Sequence, residues 1–397
     1  MIRRGTAVVL GMALLLPAAA AAQEERPRAR DLGIVVGALP PGPSNAITDV
    51  PGVTVGHATV IEGDSIKSGV TVIVPHEGNV FLEKVPAAIY VANGFGKLAG
   101  VTQVRELGTI ETPIALTNTL AVGRVVDGLV RWTIDHTTID VRSVNAVVGE
   151  TNDGVLYAIT VPRVGADEVH AALDAARGGP VAEGSVGAGT GTMALGFKGG
   201  IGTASRRVRI GDAVYTLGVL VQSNFGGALE IAGVPVGRAL GKAGFLDEWI
   251  PKEGVSSSEW RAADQPDVGG GSIMIVVATD APLDAAALER VARRAPYAIG
   301  RVGGFSSHGS GDYVIAFSSH PGVRVPHEAP RPLAAREVLR GEALNPLFLA
   351  VIEATEEAIL NSLFRATTVT GWRGTAEALP LERMREILAR SGAEAGR

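Results

Sequence analysis

The 397-residue chain contains no cysteine. That one absence excludes disulfides, thiol nucleophiles and thiolate zinc sites. A hydrolase built from it must draw its nucleophile from serine, threonine, a carboxylate or a metal-bound water. Metal-type spacing is missing too: the seven histidines are scattered, with no His-x-x-x-His pair and no adjacent carboxylate cluster. No metal or organic cofactor is implied. There is no excess of positive charge; the formal net charge is −5, so nothing invites nucleic acid. The Gly-x-Ser-x-Gly elbow of α/β-hydrolases is absent as well. Its nearest approach, "SHGSG" at 307–311, has His308 where the first glycine would stand. "GSVGAGTGT" at 184–192 lacks the preceding apolar strand of a phosphate loop, and Lys198 is not in P-loop spacing.

Long apolar runs are also lacking, with one short exception at the start. "MIRRGTAVVLGMALLLPAAAAAQ" has a basic opening, an apolar stretch too short to cross a bilayer, and a small-residue site ending near Ala22. It reads as a secretory signal peptide, residues 1–22. Its removal takes away Arg3 and Arg4 and no acid, moving the net charge from −5 to −7. The mature protein is expected to be soluble, off the membrane, and secreted or periplasmic.

What is present is a mixed pattern. Strand-like segments appear near 53–55, 70–74, 87–91, 114–116, 155–161, 213–221, 272–278 and 312–318. Helical periodicity appears at 120–133, 168–176, 284–298, 346–365 and 381–390. Strands interleaved with paired helices, without a regular βαβ beat, predict a layered α+β domain. The polar, Ser- and Gly-rich segment 251–271 has neither periodicity and reads as an exposed loop.

That loop ends at "DVGGGSIMIVVATDAPL", where three glycines meet Ser272 at the start of an apolar strand. One account makes the glycines a flexible loop end and Ser272 a strand's first residue. The other makes Ser272 Oγ attack the Gly271 carbonyl, since glycine leaves that carbonyl unshielded and permits strained geometry. Hydrolysis of the resulting ester would free a hydroxyl nucleophile beside its own α-amine, whose pKa of about 7.7–8.0 suits a general base.

Several blocks in order resemble the self-cleaving serine aminopeptidases, the S58 peptidases, which include L-aminopeptidase/D-esterase and the β-aminopeptidases. They are "NAITDVPGVTVGH" at 45–57, "VANGFGKLAGVTQVRELGTIETPIALTNT" at 91–119, "GETNDG" at 149–154, "FKGGIGTASR" at 197–206, "VQSNFG" at 221–226, "GGGSIMIVVATDAPL" at 269–283 and "GSGD" at 309–312. The resemblance implies an αββα sandwich like that of N-terminal-nucleophile hydrolases, with different strand connectivity. It implies cleavage between Gly271 and Ser272 into chains 23–271 and 272–397 of one domain, with Ser272 as nucleophile. Ser310 and Asp312 match the family's second serine and following acid, often Glu, which help activate the nucleophile. Asn224 matches the oxyanion donor, and Glu150 the acid that binds the substrate's free amine. Asn152 stands where the D-stereospecific member has an aromatic residue.

The implied activity is release of N-terminal amino acids from short peptides, amides or esters through an acyl-enzyme. Either the Ser272 α-amine or the Ser310/Asp312 pair would manage the proton. The implied partner is the protein itself, as oligomers of αβ heterodimers. Two rivals stand beside this reading. One is an acyltransferase resembling ornithine acetyltransferase, against which Ser272 counts because that family uses threonine. The other is a secreted binding protein that keeps the fold and never cleaves.

Overall fold

The computed structural model describes residues 26–243, 245–249, 271–328, 331 and 334–392. The expected signal peptide and residues 251–270 of the expected loop lie outside the described residues. Two sheets carry the fold. The first runs β1 (Thr54–Glu62), β2 (Ile66–Val74), β5 (Ile114–Asn118), β6 (Val147–Thr151), β4 (Leu98–Ala99). The second runs β7 (Gly200–Ile210), β8 (Ala213–Asn224), β9 (Ser272–Thr279), β10 (Gly311–Ser318), β3 (Glu83–Gly94), β11 (Val325–Pro326), with Thr109–Ile110 also paired to β3.

The alternation of β9 shows why there are four layers. Side chains along a strand point to opposite faces, and here both sets are apolar and buried. Ile273, Ile275 and Val277 join a core with helices α3 (Ala285–Ala292) and α4 (Asn345–Phe364). Met274, Val276 and Ala278 join a second core with Ile73, Leu116 and Val147 of the first sheet. The first sheet's outer face, through Val70, Val72 and Val148, packs on α1 (Val122–Asp135) and α2 (Ala166–Asp174). A strand apolar on both faces has to be sandwiched, and the result is helix, sheet, sheet, helix.

Three expectations need correction. Residues 155–161 form turns, not a strand; the strand lies earlier, at Val147–Thr151. The helix expected over 284–298 breaks after Ala292 and resumes at Tyr297–Arg301, because Pro296 disfavours the helical conformation of the residue before it. Gly271, taken as the end of an exposed loop, is buried.

Candidate active site

Four strand ends of the second sheet meet at one place. Antiparallel pairing sets Asn224, the last residue of β8, opposite Ser272, the first of β9. Parallel pairing sets Ser272 beside Gly311, the first of β10, and Gly311 opposes Gly94 at the end of β3. Directly opposed antiparallel residues share a face with Cβ atoms about 4.5–5.5 Å apart. The Asn224 amide and the Ser272 hydroxyl therefore emerge side by side. Ser272, Asn224, Ser310 and Asp312 are all buried.

The Gly311 N–H donates to Ser272 Oγ at 3.2 Å and lies 3.1 Å from the Gly271 carbonyl oxygen. One donor thus positions the hydroxyl and polarises the carbonyl just before it. A Cβ on Gly271 would lie 2.2 Å from the Asn224 carbonyl oxygen and 2.4 Å from Phe225 Cα. Glycine is required there by close backbone approach.

Ser310 Oγ donates to Asp312 Oδ1 at 2.5 Å, so the shorter acid reaches its serine. The Ser310 carbonyl is pinned in turn by Asn93 Nδ2 at 2.6 Å and Phe95 N–H at 3.1 Å. Burial pushes the Asp312 carboxyl up, while hydrogen bonds from Ser306, Ser310 and the Ile273 N–H oppose the shift. A carboxylate so raised is the stronger base. Asn93 was not singled out in the sequence; an Asn-Gly at a strand end signals only a turn.

Asn224 Oδ1 accepts the Met193 N–H at 2.9 Å. A backbone N–H can only donate, so the amide's oxygen faces Met193 and Nδ2 turns the other way. A cavity of about 430 Å³ opens beside it, walled by Val155, Ile159, Leu195, Phe225 and Gly271. Asn152 lines the same cavity; it is exposed, and its Oδ1 folds back onto the Gly154 N–H at 2.9 Å.

Glu150 arrives from the other sheet. Strand β6 packs on β9 so closely that a Cβ on Gly149 would lie 2.6 Å from Met274 Sδ. Past Gly149 the chain runs toward the Ser272 end, since Asn152 lines the same cavity as Asn224, the residue opposite Ser272. Its carboxylate is buried, and Oε1 accepts the Lys97 N–H at 2.9 Å with Lys97 Nζ 3.4 Å away. Tyr313 stands between: a Cβ on Gly96 would touch both the Tyr313 hydroxyl and Glu150 Oε1, and one on Gly311 both the Tyr313 ring and Ser272 Oγ. Burial pushes the Tyr313 phenol up, and the Glu150 and Asp312 carboxylates add to the shift. Tyr313 also escaped the sequence reading, hidden as one aromatic in an apolar strand.

A buried serine hydroxyl, an asparagine amide and a buried carboxylate now stand together, and residues 45–377 match the model of Peptidase family S58. The chain belongs to peptidase family S58. A "Beta-peptidyl aminopeptidase BapA" of Sphingosinicella xenopeptidilytica is 42% identical over 92% of this chain and 91% of its own length. Among solved structures, a Burkholderia sp. β-aminopeptidase superposes with a TM-score of 0.81 at 39% identity, covering 92% of this chain and 99% of that one. The L-aminopeptidase D-Ala-esterase/amidase of Ochrobactrum anthropi, described as a prototype serine aminopeptidase and a new variant of the Ntn hydrolase fold, gives 0.81 at 37% identity with the same coverages. This S58 member is accordingly a serine-type aminopeptidase/amidase hydrolase on an α+β variant of the Ntn hydrolase fold.

Proposed function

We propose that the protein is a secreted or periplasmic aminopeptidase that cuts itself once at Gly271–Ser272 and then releases N-terminal residues, β-aminoacyl residues among them, from short peptides and amides. The observation that carries this reading is the meeting of Ser272, Asn224 and Ser310/Asp312 at one sheet end, with Glu150 brought beside it from the other sheet. The name of the 42% identical relative supports the β-aminoacyl part. Assembly into oligomers of αβ heterodimers belongs to the same proposal.

In the first reaction Ser272 Oγ attacks the Gly271 carbonyl, the C–N bond breaks, and the freed nitrogen takes the hydroxyl's proton. Water then hydrolyses the ester, leaving the Gly271 carboxylate and a Ser272 N-terminus. In each later cycle Ser272 Oγ attacks the substrate carbonyl, and Asn224 Nδ2 donates to the oxyanion. The leaving amine departs with a proton delivered by the Ser272 amine or the Ser310/Asp312 pair, and water releases the acyl group as an acid. The cavity's aliphatic and aromatic walls suit an apolar acyl side chain, although Lys242 and Arg373 also line it.

Asn224→Ala is expected to fold and lose on the order of 10²–10³ in kcat, because the oxyanion exists only after attack. Steady-state kinetics check this; an unchanged kcat with a raised KM would make Asn224 a ground-state binding residue. The exopeptidase reading rests on Glu150. Glu150 keeps the Lys97 N–H and ammonium whatever is bound, so a blocked N-terminus is disfavoured because it forfeits the attraction that a substrate ammonium would gain from the carboxylate. An aminoacyl amide should be cleaved far faster than its N-acetyl counterpart, and Glu150→Gln should narrow that gap by losing activity on the free amine. Equal wild-type rates on both would make the protein a general amidase.

A further inference from the structure

Lys198 has no exposed surface, yet nothing in the reaction above uses it. A buried ammonium is expensive unless its protons are matched. Here Nζ donates to the carbonyls of Gly189 at 2.7 Å and Gly199 at 2.9 Å. Those two carbonyls bracket the stretch that walls the substrate cavity through Gly191, Met193, Leu195 and Gly196. Within it Met193 pairs directly with Lys198 across a two-residue turn, Leu195-Gly196, both with positive φ. The ammonium and the N–H that holds Asn224 Oδ1 therefore belong to one short hairpin.

Asp153 stands behind the same wall. It is buried, three residues after Glu150; its Oδ2 accepts from Ser68 Oγ at 2.6 Å, and its Oδ1 has no partner. Gly191 is closed in on both sides, since a Cβ there would lie 2.8 Å from Asp153 Cβ and 2.1 Å from the Lys67 carbonyl oxygen. The two charges act on each other. Burial pushes Lys198 down to about 7 and Asp153 up to about 7, and each opposes the other's shift.

We propose that Lys198 and Asp153 are positioning residues: Lys198 Nζ, tying the Gly189 and Gly199 carbonyls together, and Asp153, packed against Gly191, clamp the 189–199 wall so that Met193 aims the Asn224 amide at the oxyanion. The inference rests on the reading of Asn224 as oxyanion donor. Its test is a double-mutant cycle on a β-aminoacyl p-nitroanilide, with Lys198→Met, Asn224→Ala and the pair. Lys198→Met is expected to lower kcat about 10–100-fold with KM nearly unchanged, as misplacement of a catalytic group does. In the Asn224→Ala background it should cost little more, because both changes remove one donor.

Losses that multiply in the double variant would overturn the inference while leaving Asn224 as donor, and so would a Lys198→Met enzyme with full kcat. Full kcat in Asn224→Ala alone would bring down the oxyanion reading itself, and this inference with it. Should Lys198→Met fail to fold, the near-isosteric Asp153→Asn takes its place in the same cycle. The same non-additivity is expected, and multiplying losses would again overturn the clamp.

Discussion

Ser272→Ala is expected to remain a single chain and to lose activity by on the order of 10⁶ in kcat, the scale on which removing a serine nucleophile acts. In the proposed mechanism one hydroxyl serves both reactions, so one substitution should abolish both. The surroundings of the bond fit the proposed attack. The Gly271 carbonyl and Ser272 Oγ share the Gly311 N–H, and Gly271 is wedged against the Asn224 backbone. Alanine keeps all of that except the attacking oxygen. A denaturing gel and a turnover assay on the purified variant decide the matter. Two chains from the variant would mean that an outside protease makes the cut, and residual turnover near wild type would remove Ser272 from the chemistry.

How far the fold could be read depended on whether a segment's partners were written into its own residues. Strand β9 and helix α4 were legible because an apolar run bounded by glycines, and a long apolar helical pattern, fix their own environment. Strand β7 was not. Its glycines and arginines look like a surface loop, but a Cβ on Gly202 would lie 2.0 Å from the Ala358 carbonyl oxygen of α4. Glycine is there so that a helix can lie on the sheet, and nothing local to the sequence says so. Residues 155–161 misled in the opposite sense. Their β-branched and aromatic composition mimics a strand, but their backbone is held by single tertiary bonds, such as Arg373 N–H to the Val155 carbonyl at 2.8 Å.

The site divides in the same way. Ser272, Ser310, Asp312, Asn224 and Glu150 were visible as motif positions, and sheet register explains why residues so distant in sequence meet. Lys198 was weighed only as a phosphate-loop lysine, because a lysine beside phenylalanine carries no local sign of burial. Asn93 and Tyr313 went unseen for a related reason: each works through a neighbour's backbone or a glycine's empty side. Residues that position others leave little trace in spacing.

The largest expected effect on stability belongs to Arg206. Its guanidinium is fully buried on β7 and faces two carboxylates of α4, Glu353 at 3.2 Å and Glu357 at 2.7 Å, with the Ser205 and Val36 carbonyls at 2.8 Å. Arg30 and Asn45 complete the shell of Glu357. Burial alone would raise the Glu357 carboxyl, but Arg30, Arg206 and Asn45 outweigh it and hold it below its usual value of 4.5. Arg206→Met strips away the cation and leaves buried carboxylates uncompensated, which costs about 3–5 kcal/mol. Adding Glu357→Gln to that variant should recover part of the loss, since fewer unpaired charges then remain. The pH dependence has a fixed sign. A depressed carboxyl contributes stability above its unfolded pKa of 4.5, and that contribution is lost as the pH falls through its lower folded value. The gap between wild type and Arg206→Met should therefore narrow in acid. If the proposed cut is made, this network joins the N-terminal chain to the C-terminal one, and with no cysteine in the sequence only such packing holds them. Denaturant unfolding at neutral and acid pH, with chain dissociation followed in parallel, is the measurement. An Arg206→Met protein within about 1 kcal/mol of wild type would show the network to be replaceable, in the way that whole buried ion clusters sometimes are.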